Sequence, residues 1–193
     1  MATLTAAPQV SLVFLRLPDG GGDGSGFPGS GFQSLPKLWT GVIDQLQSID
    51  GSETYTRATL IGTITEVISD FAPAVVRTHD PDVANWDNSD HHSVGSLAIA
   101  AHDAYPQART LTTYRGYSVV DHPANVSGAE LAGKREAMKA YAAYDPGLLE
   151  WEYMADRQYV IQTLEGPAAS PASQVPSADT GTYRRVPLRA LRL

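Results

Sequence analysis

Asp87-Asn88-Ser89-Asp90-His91-His92 separates two runs of different periodicity. Before it stands Ala74-Val75-Val76-Arg77-Thr78, rich in β-branched residues; after it, residues 94–104 carry apolar side chains at helical spacing. The first run predicts a buried strand and the second a helix, so the cluster falls where a loop leaves a strand and enters a helix N-terminus. An open α/β sheet binds its ligands at such places. Two adjacent imidazoles beside two carboxylates there predict a metal or acid/base site. The competing reading makes Ser89 or Asp90 the helix N-cap and leaves both histidines as solvated first-turn residues.

Between strand and cluster, His79-Asp80-Pro81-Asp82-Val83-Ala84-Asn85-Trp86-Asp87 crowds four ionisable side chains and a tryptophan into one loop. Such crowding is unfavourable unless water, a cation or a polar ligand neutralises it. Upstream, Thr56 opens a helix in which Leu60, Ile61, Ile64, Val67, Ile68 and Phe71 form an apolar stripe, stopped by Pro73. An earlier helix is capped by Ser34, carries Pro36 in its first turn, and repeats Leu35, Leu38, Trp39, Val42, Ile43 and Leu46 at helical spacing. Val10-Ser11-Leu12-Val13-Phe14-Leu15-Arg16-Leu17 is apolar at nearly every position and predicts a strand covered on both faces. Strand, helix, helix, strand in this order implies a crossover and a parallel pair. A doubly wound domain would carry another strand and helix before this one. The glycine-rich run over residues 18–31 is neither a Walker loop nor a dinucleotide fingerprint. It is either a substrate-facing rim holding Asp19 and Asp23 or a plain surface loop.

Downstream, His102 has no evident partner and is expected at the surface. Residues 111–117 predict a third strand with an aromatic end. Ser127 and Glu130 have capping-box spacing for a helix through Tyr144, and residues 148–164 predict a last helix that packs through Trp151, Met154, Tyr159 and Ile161. From residue 165 the composition turns to Gly, Pro, Ala and Ser with scattered arginines. That stretch cannot bury enough apolar surface to offset its ordering entropy, so residues 1–164 are expected to form one domain and 165–193 a disordered tail.

Composition narrows the function. With 193 residues and 42% hydrophobic content the chain can bury a core, and no internal repeat is evident. A net charge of −7 disfavours nucleic acid or an anionic membrane as partner and favours a neutral or cationic ligand. Without cysteine, any metal must be held by His, Asp or Glu. No segment has the length and apolarity of a membrane span. Residues 1–8 lack the features of a signal peptide, so the chain reads as cytoplasmic; a true N-terminus further upstream would allow secretion.

Taken in order, Leu17-Pro18-Asp19-Gly20-Gly21-Gly22, Arg77-Thr78-His79-Asp80-Pro81, Ser89-Asp90-His91-His92 and the helix through Ala101 resemble the PIG-L/LmbE-like N-acetylglucosaminyl de-N-acetylases. The likeness spans residues 9–162 and is greatest to actinobacterial members with a long glycine-rich loop. It implies a Rossmann-like, mostly parallel sheet flanked by helices, here without its first strand and helix. It also implies a zinc-dependent hydrolase that removes an acetyl group from an amino sugar. In that family a late His-x-Asp-His segment supplies a metal ligand from its last histidine, here His91, with Asp90 orienting its neighbours. The segment's first histidine is replaced by Asn88, which donates a hydrogen bond but no proton; His92 or His79 are the available substitutes. Asp19, Arg77, Asp80 and Tyr117 are the candidate substrate contacts, with Trp86 and Tyr114 as further aromatic surfaces for a sugar.

The family's early His-Pro-Asp-Asp segment, which carries its other ligands, is absent. Three explanations stand, in this order: the chain is the C-terminal portion of a longer enzyme; it is a degenerate relative; or its site is rebuilt, with Asp19, Asp80 or Asp87 as a new ligand. A catalytically inactive sugar-binding or interaction module on the same scaffold is the main alternative to a hydrolase. A metal-free carboxylate hydrolase is a weaker one, since no acid and base pair can be assigned.

Overall fold

A computed structural model of the chain describes residues 1–166 apart from 106 and 108. It is a mixed α/β structure whose central three-stranded sheet is flanked by helices. The expected tail therefore lies outside the described residues except for Glu165 and Gly166, which continue the ordered chain: Glu165 ends a strand, and the Gly166 amide donates to Arg109 O at 2.7 Å.

The N-terminal stretch departs most from expectation. β1 (Ala2–Thr3) and β2 (Ser11–Leu12) form a short antiparallel ribbon of their own, and Leu12 and Phe14 are 57% and 62% exposed. The expected long strand ends at Leu12, and Arg16, with a left-handed φ of 55°, is not extended backbone. Leu15 and Leu17, two positions apart, pack on the core, and Arg16 between them pairs with Asp50.

α1 (Leu35–Thr40) starts at the Ser34 cap as expected but stops at Gly41, whose φ of 78° closes the helix. Leu46 is fully buried from a different element: β3 (Leu46–Gln47) pairs antiparallel with β4 (Thr54–Tyr55). α2 (Arg57–Phe71) begins with a reciprocal Thr56/Thr59 capping box and ends at left-handed Ala72, one residue before Pro73. β5 (Val75–His79) follows, more open than predicted, with Val75 43% exposed. α3 (Ser89–Ala104) leads to β6 (Thr110–Tyr114), which runs parallel to β5 with Val75 opposite Thr110 and His79 opposite Tyr114. The crossover thus runs through α3 between β5 and β6, and the stretch at residues 10–17 has no place in the central sheet.

Beyond β6, residues 117–121 form a 3-10 turn, and α4 (Gly128–Ala142) follows. Ser127 stands at its N-cap position without a side-chain hydrogen bond, so the expected capping box is not made. Gly128, with φ of 59°, turns the first-turn amides away from the hydroxyl. The predicted last helix is replaced by a 3-10 segment, Pro146–Met154, and by β7 (Val160–Glu165), antiparallel to β6. Val160, Ile161 and Thr163 are β-branched and suit the open side of β6 better than a helix.

The core lies between the three helices before β6. Leu35, Leu38, Leu46, Leu60 and Leu97 form one buried cluster and Ile68, Ala101 and Tyr105 a second; Ile61 and Ile64 of α2 pack against both. Because α3 touches α1, α2, β5 and β6, most of its circumference is covered. His102, expected at the surface, is therefore only 2% exposed, with Nδ1 3.2 Å from Asp103 Oδ1. Among the described residues, no helix is long and apolar enough to cross a membrane.

Candidate metal centre

The carboxyl ends of β5 and β6 and the start of α3 meet at one place. His79 is the last residue of β5, Asp87 ends the loop that follows, and His91 sits in the first turn of α3. One donor atom from each of the three lies within 4.8 Å of the other two, a group able to hold a metal ion. The His79 and His91 rings stack with centroids 4.0 Å apart and planes 7° from parallel.

Asp87 is the hub. Its Oδ1 accepts from His91 Nδ1 at 2.8 Å, from the Asn88 amide at 2.8 Å and from the Tyr117 amide at 3.3 Å. Burial pushes its carboxyl up, but the bonds from His91, Asn88 and Tyr117 together outweigh this and hold it below the usual carboxylate range. A carboxylate only accepts, so His91 carries a proton on Nδ1 and donates it to Asp87. Burial, reinforced by the neighbouring His91, lowers His79 and favours its neutral, metal-ligating form. The second oxygen, Asp87 Oδ2, is buried with no hydrogen-bond partner. It faces Gly116, where a Cβ would lie only 1.7 Å from it, so the carboxylate has room only because residue 116 is glycine.

The residues present fit a divalent cation. Two imidazoles and a carboxylate are a donor set of catalytic zinc sites, and the orphaned Asp87 Oδ2 is the kind of buried oxygen that a cation satisfies.

The structure distributes the predicted site residues between this centre and its frame. His91 is in the centre, and Tyr117 borders it, with its ring centroid 5.0 Å from that of His91. Asn88, rather than Ser89 or Asp90, is the N-cap of α3: its Oδ1 accepts from the Asp90 amide at 2.9 Å. Asp90 turns toward the glycine-rich loop, where Oδ2 accepts from the Gly20 amide at 2.8 Å and Oδ1 is buried without a partner; burial raises its carboxyl. Ser89 adds a hydroxyl bond to Gly21 O at 2.7 Å, so the loop is strapped to the first turn of α3. His92 is buried outside the three-residue group, with Nδ1 3.0 Å from Asp80 O. Asp80 is buried with both oxygens engaged inside its own loop, by the Asp82 amide at 3.1 Å and Asn85 Nδ2 at 2.7 Å. Arg77 is exposed and, two residues before His79 in β5, shares its face of the sheet. Asp19 is exposed, accepts from the Gly21 amide at 2.7 Å, and lines an open cleft of about 560 Å³ with Phe27, Gln33 and Gln47. Trp86 is 54% exposed and donates to Asp121.

Sequence reasoning named His79 only as a substitute proton donor and Asp87 as one of three replacement ligands. Their signals were present: Asp87 and His91 are four apart at a helix start, which places them on one side, and His79 ends the preceding strand. Gly116 had no such signal.

Comparison of the chain with protein-family models, curated proteins and solved structures gave no match. The likeness to the PIG-L/LmbE-like deacetylases rests on the motifs quoted above.

Proposed function

We propose that the chain is a zinc-dependent amide hydrolase that removes an acetyl group from an N-acylated amino sugar, with His79, Asp87 and His91 as the metal ligands. The observation that carries this reading is the convergence of two imidazoles and a buried carboxylate with an unpartnered oxygen at the ends of two parallel strands. It favours a rebuilt site, in which Asp87 supplies the donor that the missing His-Pro-Asp-Asp segment would have brought.

A zinc ion held there would polarise the acyl oxygen and lower the pKa of water. Asp87 and His91, joined through Oδ1 and Nδ1, would turn those two atoms to the ion in place of the proton they share. Asn88 accepts at the helix cap through Oδ1, which leaves its Nδ2 group to donate to a developing oxyanion. Asp90 holds Gly20 and so sets the glycine-rich rim, with Asp19 on it, beside the centre. Arg77 and Tyr117 are the further substrate contacts on either side of His79 and His91.

The test is calorimetric titration with zinc and an assay on N-acetylglucosamine derivatives, for the chain and for His91→Ala and Asp87→Asn. Saturable zinc binding at one site, with release of acetate that both substitutions abolish, is the expected result. Rates above background that neither substitution changes would remove the centre from the mechanism.

One observation favours a second reading. Trp151, 38% exposed, continues the aromatic row of His91 and Tyr117 outward from the centre, a surface that a sugar ring could meet in a non-catalytic binding module. Glycan binding unaffected by chelator, without product, would select it.

A further inference from the structure

We propose that the cleft between α4 and the 3-10 segment Pro146–Met154 is the docking site of this chain's own basic stretch, residues 184–193. The proposal stands apart from the hydrolase reading and needs no metal in the centre.

Charge divides sharply along the sequence. Residues 167–193 hold four arginines and one acid, Asp179, whereas residues 1–166 hold the other 10 basic and 20 acidic side chains. The first 166 residues therefore carry a net −10 and the remainder a net +3. All four arginines fall within residues 184–193, Arg-Arg-Val-Pro-Leu-Arg-Ala-Leu-Arg-Leu, and the six remaining residues of that stretch are apolar. A segment of that make-up suits a groove with an apolar floor and carboxylates at its rim.

The cleft is such a groove. Its volume is about 540 Å³, and Met138, Leu148, Trp151 and Met154 give it an apolar lining in which the thioethers adapt to an irregular occupant. Asp145 and Glu150 stand exposed on it, and among the described residues neither is in an ion pair, whereas Glu152 is held by Arg135 at 3.3 Å. Lys134, the cation of the lining, already donates to Arg157 O at 2.9 Å. The helix on one side is incompletely packed. Leu131, Lys134, Met138 and Ala142 share one side of α4, each is half-buried, and among the described residues none on this helix is fully buried. An occupant that covers this side removes apolar surface from water.

The reach is also matched. Gly166 leaves β7 at the end of the sheet opposite the metal centre, with its amide on Arg109 O, and the six residues of β7 at about 3.3 Å each make a span of about 20 Å. Tyr117, which lines the cleft and borders the centre, lies beyond the other end of that strand, where the Arg115 amide donates to Tyr159 O. Residues 167–183 number 17, and a flexible chain of that length has a root-mean-square span of about 20–25 Å. A linker whose span equals the distance to be bridged gives the greatest effective concentration, which favours this segment over an occupant from solution. Docked there, it covers the outward end of the row formed by His91, Tyr117 and Trp151.

The chain has no cysteine, so Ala190→Cys in the full chain carries a single spin label whose mobility is read by electron paramagnetic resonance. The label is expected to be mostly immobilised. Asp145 and Glu150 are exposed, and the Asp145 side chain makes no cap bond, so both can be changed without disturbing the fold. Asp145→Lys with Glu150→Lys should lower the ratio of immobilised to mobile label about tenfold, the scale of two or three exposed ion pairs made together. Met138→Arg, which fills the groove, should lower it by a similar factor. Adding Arg189→Glu and Arg192→Glu to the two lysines should restore the immobilised signal. A mobile label in the chain with no other change, or immobilisation that survives either cleft variant, overturns the proposal. So does a loss that the reversed arginines fail to restore, which would assign it to the cleft substitutions themselves. Immobilisation that weakens on dilution overturns docking within one chain and assigns the contact to a second copy.

Discussion

α3 and α4 are of similar length and each follows a strand of the central sheet, yet they are held in opposite ways. α3 buries Leu97, Ala101, His92 and His102 and has neighbours on most of its sides. α4 buries none of its side chains fully and rests chiefly on the 3-10 segment Pro146–Met154. The residues that need fixed geometry, His91 and the Asn88 cap, are on the well-packed helix, where close packing restricts side-chain movement. The half-packed helix forms one wall of a cleft. Precision and room for a ligand are thus supplied by different elements, and Tyr117 stands between them.

The largest effect should come from the core side of this contrast. Leu97 is 2% exposed in the leucine cluster, so Leu97→Ala should cost about 2–5 kcal/mol. Leu131→Ala on α4, where the side chain is half-buried, should cost about 1 kcal/mol. Urea unfolding of the two variants measures both. Equal losses would mean that α4 is as tightly held as α3.

Gly116→Ala acts at the junction. The new Cβ would overlap Asp87 Oδ2, so the carboxylate must move and its bond to His91 must lengthen. A loss of about 1–3 kcal/mol of stability is expected from such overpacking. Zinc affinity should fall at least about 10–100-fold, the effect of disturbing even an outer contact of a metal site, because Asp87 is one of the three proposed ligands. Calorimetry checks the second figure; unchanged zinc affinity would show that Asp87 does not position the centre.

The legible parts of the fold are those with a local physical marker. Ser34, Thr56 and Pro73 fix helix ends through caps and a missing amide, and Val75-Val76 and the Thr-rich run at residues 110–114 mark strands by their branched side chains. Residues 10–17 misled because an apolar run does not itself supply a surface to pack on: Val10, Leu12 and Phe14 stay exposed, and only Leu15 and Leu17 reach the core. Val160 to Leu164 misled because Trp151, Met154 and Ile161 also fit helical spacing, and only the open side of β6 decides for a strand. In the site, His91 was legible from its motif. Its pairing with His79 was not, because it depends on the end of β5 being brought beside the start of α3, and the role of Gly116 depends on a contact across 29 positions of sequence.

A smaller effect separates the two ends of the pH range. Burial and the neighbouring His91 lower His79 in the folded chain, so the unfolded chain binds the extra proton first as pH falls. Stability from this group is present above the ordinary histidine value of about 6.5 and declines as pH drops through it toward the lower folded value. Asp87, also lowered, adds a second decline below about 3.9. Zinc binding should weaken over the first interval too, since ligating imidazoles must be unprotonated. Urea midpoints at pH 7.5 and 5.5 should differ for the chain and differ less for His79→Gln; equal differences would assign the decline to other groups.

The smallest effect compares the two helix starts. Asn88 caps α3 with a bond to the Asp90 amide, whereas Ser127 stands at the same position of α4 and bonds nothing with its side chain. Asn88→Ala should cost about 1 kcal/mol, and Ser127→Ala should fall within about 0.5 kcal/mol of the unaltered chain. Thermal or urea unfolding resolves that difference. If Ser127→Ala were as costly as Asn88→Ala, its hydroxyl would be holding the start of α4, and Gly128 would not have turned the first-turn amides away from it.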